Sequence, residues 1–148
     1  MIGENLNMKI TDEAYNCGRL LAVFEELQAA YHEYKLEGAS VVEKYYGTAA
    51  ASPNSAFGIL WRLHQHHLKK VRRNNPAKAV AIGQKIAEIS VHFNNPKPPA
   101  APQFPRSFNL QEQGRFALGF YQQIAADKEA REAYFRNKKS EENTGEQK

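Results

Sequence analysis

Apolar residues recur at steps of three and four along almost the whole chain, and this period limits the fold more than any other feature. One run is Tyr15, Cys17, Leu20, Leu21, Phe24, Leu27, Tyr31 and Tyr34. Another is Phe57, Leu60, Trp61, His64, Leu68 and Val71, and a third is Val80, Ile82, Ile86, Ile89 and Phe93. A last run takes in Leu110, Phe116, Leu118, Tyr121, Ile124, Ala125, Tyr134 and Phe135. Sustained apolar/polar alternation is missing, and no Asn-Gly or Asp-Gly turn joins β-branched runs. The pattern predicts an all-α helical bundle of about five helices. Its expected core includes Leu21, Phe24, Leu27, Phe57, Leu60, Trp61, Leu68, Val80, Ile86, Phe116 and Tyr121.

Capping signals place the helix ends. Thr11, followed by Asp12 and Glu13, predicts the first N-terminus, and Gly38 the end of that helix. Gly18 inside the stripe costs stability but leaves room for a neighbouring helix to come close. Ser40 and Glu43 have capping-box spacing, which predicts a short second helix over 40–46 that Gly47 closes. Ser52-Pro53 and Asn75-Pro76 each pair a cap with a proline at a position that needs no amide hydrogen, and so open the third and fourth helices. Pro96, Pro98, Pro99, Pro102 and Pro105 exclude helix and favour an extended connector, which fits a mobile loop and an ordered strap alike. Asn109 with Glu112 caps a last long helix, either unbroken to about Arg136 or broken near Ala126. The expected organisation is one domain over 1–137, with the first ten or so residues loose, and a disordered polar tail over 138–148.

Charge is distributed unevenly. No acid occurs between Glu43 and Glu88, while Lys44, Arg62, Lys69, Lys70, Arg72, Arg73, Lys78 and Lys85 fall in that interval. These eight against a total of +4 leave −4 for the rest of the chain. On the third helix Arg62, His66, Lys69 and Arg73 project opposite the apolar arc, flanked by Lys70 and Arg72, in a row roughly 16 Å long. Lys78 and Lys85, two turns apart on the fourth helix, are candidates to extend it. A surface helix ordinarily mixes signs for i,i+4 pairing. An acid-free row instead suits a polyanion, and phosphate contact more than base stacking. A solvated face without a partner is the plain alternative.

Other chemistry finds little support. His64, His66 and His67 lack a nearby carboxylate or cysteine to complete a metal site, and His64 belongs to the apolar arc. Cys17 lies on an apolar stripe and reads as a core residue. There is no HExxH, P-loop, GxSxG or GxGxxG pattern, so neither an enzyme nor a cofactor is expected. No apolar run approaches membrane-spanning length, and Met1 to Met8 does not form a secretory signal, leaving the cytoplasm as the default compartment.

Three stretches carry a family resemblance: residues 14–28, with Gly18-Arg19-Leu20-Leu21 at their centre; residues 45–53, with Tyr45-Tyr46-Gly47-Thr48, running on to Gln65-His66-His67-Leu68; and residues 110–121, around Gly114-Arg115-Phe116. In that order they resemble the C-terminal helical part of the large subunit of type I-C CRISPR interference complexes. The similarity covers roughly residues 11–135. Gly58 stands where that family often has proline, and His64 where a small residue is common. The family's large subunit is several times longer. The resemblance therefore implies the separate small subunit made from an internal start, with a truncated large subunit as the competing reading. It further implies a non-catalytic role. Copies of the bundle would line the crRNA-bearing backbone beside the backbone and large subunits and support the target and displaced DNA strands. Protein subunits of a guided complex need only hold backbone, because base pairing reads sequence. The alternative is an all-α protein-interaction module whose basic face docks an acidic partner. A sequence-specific DNA reader is disfavoured, since the cations cluster late in the third helix.

Overall fold

The computed structural model describes residues 11–93 and 101–146. Within them the chain forms five helices and no strand: α1 (Glu13–Tyr31), α2 (Val41–Ala51), α3 (Pro53–Asn74), α4 (Pro76–Ser90) and α5 (Leu110–Glu146). The all-α bundle is therefore as expected. The first ten residues, and Pro96, Pro98 and Pro99, lie outside the described residues.

α1 is the central helix and touches the other four. Every residue from 14 to 24 is buried, so this part of the helix has no wet face, as a helix ringed by neighbours must. Asp12 caps it rather than Thr11, accepting from the Tyr15 amide at 2.8 Å. Two polar side chains are taken inside with partners. Arg19 donates through Nε to Gln123 Oε1 and through a terminal nitrogen to Asn16 Oδ1, both at 3.0 Å. Asn16 in turn donates to the Asp12 carbonyl at 2.9 Å. Buried polar groups are costly unless paired in this way.

α5 lies parallel to α1, because contact positions rise together on both: Asp12 with Arg115, Tyr15 with Gln122, Arg19 with Gln123. Glycines set the closeness of this crossing. A Cβ on Gly18 would fall on the Phe116 carbonyl oxygen and 2.8 Å from the Phe120 nitrogen, and one on Gly119 would fall on the Tyr15 carbonyl. The two backbones touch there, as the glycine in the first apolar stripe implied.

Several boundaries differ from expectation. α1 stops at Tyr31, not near Gly38, and Glu33 and Tyr34 turn the chain at φ 53° and 63°. α2 does not end at Gly47 but runs to Ala51, because nothing opposes continuation through a stretch rich in alanine. Its start is held by α1 as well as by Ser40. Glu25 Oε2 accepts from the Val42 amide and Gln28 Oε1 from the Val41 amide, both at 2.8 Å. Ser52 makes no side-chain cap, so Pro53 alone marks the start of α3, whereas Asn75 does cap α4 through the Lys78 amide at 3.2 Å.

Residues 101–109 form an ordered strap. Asn54 donates its amide to the Pro105 carbonyl at 2.9 Å, and Phe108 its amide to the Ala51 carbonyl at 3.0 Å. Phe104 stacks on Phe57 at 4.9 Å and meets Phe93 at 5.1 Å, so the strap adds Phe104 and Phe108 to the core.

α5 begins in a reciprocal capping box. Asn109 accepts from the Glu112 amide at 2.8 Å, and Glu112 from the Asn109 amide at 3.0 Å. It then runs 37 residues without the break considered near Ala126, on the order of 55 Å. Where a disordered tail was expected from residue 138, the helix continues to Glu146, since Lys and Glu predominate there and no proline interrupts. Two expected core residues are outside: Val80 is 57% and Tyr121 63% exposed. Each lies two positions, about 200°, from a residue that faces inward, Ile82 and Gly119 respectively. Leu118, Ile124, Tyr134 and Phe135 are also exposed, and Trp61 and Leu68 are half-buried against the core.

Candidate nucleic-acid interface

α3 separates its two faces sharply. Phe57, Leu60, His64, His67 and Val71 are buried. His64 stacks on Phe24 at 4.9 Å between centroids, and His67 lies 4.2 Å from the Tyr31 ring. Burial pushes His64 down to about 4, and burial with the neighbouring His66, His32 and Lys70 does the same for His67. Both are therefore neutral packing groups at physiological pH. Among the described residues no three His, Cys, Asp or Glu side chains are placed to hold a metal. Burial, with Glu13 and Asp12 adding to it, raises the Cys17 thiol well above its ordinary value, which suits a core residue.

On the outer face Arg62, His66, Lys69, Lys70, Arg72 and Arg73 are all exposed. None of the six forms an ion pair among the described residues. A shallow groove of about 290 Å³ runs beside them, lined by Gln65, Leu68, Lys69 and Arg72. Tyr31, which sequence periodicity assigns to the core, supports the row from α1. Lys70 Nζ sits 4.4 Å over its ring and 3.3 Å from its carbonyl oxygen, and His66 Nε2 is 3.4 Å from its hydroxyl. A cation over an aromatic face is attracted by the ring quadrupole.

Lys78 and Lys85 do not extend this row. Lys78 Nζ pairs with Glu26 at 3.2 Å, and Lys85 Nζ bridges Glu26 at 3.1 Å and Asp127 at 2.9 Å. Burial alone would raise Glu26, but Lys85 and Lys78 outweigh it and hold the carboxyl below its usual range. Burial likewise opposes the charge on Lys85, and its two acids more than offset that. These lysines tie α4 to α1 and α5. No local signal foretold this, because Glu26 precedes Lys78 by 52 residues and Lys85 by 59.

The arrangement can hold a linear polyanion by charge, with donors about one helical turn apart and no base-reading geometry. Among the described residues no helix is long and apolar enough to cross a membrane. No curated protein matches the chain. Residues 2–127 match the profile of a family described as CRISPR-associated protein (Cas_Csd1). That match takes in all of α1 to α4 and the part of α5 that packs on them, ending at the Asp127 that anchors Lys85. By its sequence over most of its length, the chain belongs to the Cas_Csd1 family of CRISPR-associated proteins.

Proposed function

We propose that this chain is the small subunit of a type I-C CRISPR interference complex, a non-catalytic bundle that holds nucleic acid without reading its sequence. In this role it lines the crRNA-bearing backbone and steadies the target and displaced strands of the R-loop. The observation that carries the reading is the exposed row Arg62, His66, Lys69, Arg73, flanked by Lys70 and Arg72, which no acid neutralises among the described residues. Lys78 and Lys85 are left out of the contact set, because their charge is spent on Glu26 and Asp127. The exposed apolar residues of α5, Leu110, Leu118, Tyr121 and Ile124, supply a surface for neighbouring subunits.

The test is a charge reversal of Arg62, Lys69 and Arg73 to Glu, with binding to mixed-sequence single-stranded DNA followed from about 50 to 200 mM salt. All three side chains are exposed, so helix content by circular dichroism is expected to stay as in the wild type. Three lost phosphate contacts flatten the salt slope by roughly 2, evenly across sequences. In the assembled complex R-loop formation suffers more than guide loading. An unchanged slope with helix content retained would mean that the row is merely solvated, and the basic face would belong to a protein contact or to nothing.

A further inference from the structure

The row of cations ends at Arg73, and next to it the chain does something costly. Glu33 and Tyr34 both take left-handed backbone conformations, at φ 53° and 63°. Residues other than glycine, asparagine and aspartate seldom do so, and such strain gathers where a side chain has a task. The outcome here is a tyrosine turned out of the α1 stripe and 64% exposed. It borders a cavity of about 240 Å³ whose other walls are Ala30, Glu33, Val71, Asn74, Asn75 and Lys78.

The chemistry of those walls differs from that of the row. Asn75 is occupied in capping α4, and Lys78 in its pair with Glu26. The remaining lining residues are Tyr34, the apolar Ala30 and Val71, Asn74 and Glu33. With Lys78 paired to Glu26 and an acidic residue in its wall, the cavity disfavours a phosphate. It suits a flat aromatic group with donors and acceptors on its edge. Its volume lies below the roughly 300–1,000 Å³ of sites that enclose a drug-sized ligand, which suits one base.

We infer that Tyr34 is a stacking platform for a single unpaired nucleobase, with Asn74 and Glu33 at the base edge, placed at the end of the phosphate track on α3. The inference rests on the nucleic-acid reading above and deepens it: the strand held here is single, and it is gripped by a base as well as by its phosphates. Stacking on an aromatic tolerates any base, so the site adds affinity without sequence preference.

The experiment compares the full chain with Tyr34→Ala and Tyr34→Phe on an oligothymidine, and on an abasic strand of equal length that offers phosphates and no bases. Tyr34→Ala is expected to weaken oligothymidine binding roughly 5- to 150-fold. It leaves the salt slope and the abasic strand unaffected, and Tyr34→Phe binds as wild type. Wild-type affinity in Tyr34→Ala overturns the stacking site. So does an equal loss on the abasic strand, or tighter binding of duplex that Tyr34→Ala does not alter. The charge-reversed variant at Arg62, Lys69 and Arg73, measured alongside, separates the two readings. A flattened slope in that variant with no effect of Tyr34→Ala keeps the phosphate track and removes the base site. An unchanged slope in that variant removes the phosphate track, and an unchanged slope together with wild-type affinity in Tyr34→Ala removes both.

Discussion

α3 and α4 meet at Asn75 and share one acid-free stretch of sequence, yet they use their cations in opposite ways. On α3 the charges stand in solvent, and Tyr31 approaches Lys70 and His66. On α4 the two lysines turn inward and are neutralised by Glu26 of α1 and Asp127 of α5. The difference comes from what packs behind each helix. α3 sets its aromatic and aliphatic side against Phe24 and Phe104, so its cations have only the outside left. α4 faces α1 where that helix carries a glutamate. A run of like charges along a sequence therefore says little about field until the partners in space are known.

The sharpest way to break this comparison is to separate α1 from α5, since Asp127 reaches Lys85 only while those helices touch. Gly119→Val places side-chain carbon against the Tyr15 backbone, where no rotamer change relieves it. Inserting atoms into a packed site costs about 1–3 kcal/mol even where side chains can yield, so the loss here is at least about 3 kcal/mol. Urea denaturation is expected to show a broad transition or no folded baseline. Gly114→Ala on the same helix, with open space around it, keeps the wild-type midpoint or raises it slightly. A cooperative wild-type transition in Gly119→Val would contradict the close crossing.

Much of the architecture was legible because helix signals are local. The Asn109–Glu112 box, the Asn75-Pro76 start and the apolar period each act within one or two turns. Gly18 showed a close helix approach through its position in a stripe. What escaped was settled by distant residues. Tyr121 and Val80 look periodic but fall about 200° from Gly119 and Ile82, which choose the inward faces. Phe104 follows a proline-rich stretch without helical period, and the rings of Phe57 and Phe93 make it core. Of the eight residues proposed for the interface, six are exposed and two are structural, and the acids that decide this lie on other helices.

The two faces of α3 can be told apart by pH. His64 and His67 are held neutral by burial, with a folded value of about 4 against about 6.5 when unfolded. Above pH 6.5 both states are neutral and nothing changes. Between about 6.5 and 4 the unfolded chain binds protons that the folded chain refuses, so stability drops as pH falls, by up to about 1.4 kcal/mol per pH unit for each imidazole. Below about 4 the decline from these groups levels off. Melting temperature measured from pH 7 to pH 4 is expected to fall most steeply within that window, and His67→Gln to make the profile shallower. A flat profile would place the imidazoles in contact with water.

The smallest effect isolates position from amount of charge. Lys69→Met and Lys85→Met each remove one positive charge, so any influence of net charge alone is the same for both. Lys69 is exposed and unpaired among the described residues, so its removal changes stability by within about 0.5 kcal/mol. It also flattens the salt slope of single-strand binding by about 0.7, the share of one phosphate contact. Lys85 is bound to two carboxylates, and its removal leaves Asp127 without its cation and Glu26 with only Lys78. Breaking a fully buried pair costs about 3–5 kcal/mol. Water reaches the 31% exposed Lys85 side chain, so about 1–2 kcal/mol is the expected loss. The salt slope stays at its wild-type value, because this lysine offers no charge to a strand outside. Denaturant melts and binding between about 50 and 200 mM salt read both quantities on the same two proteins. Equal slopes in the two variants would mean that the bound strand senses only total charge, and the division between α3 and α4 would lose its functional meaning.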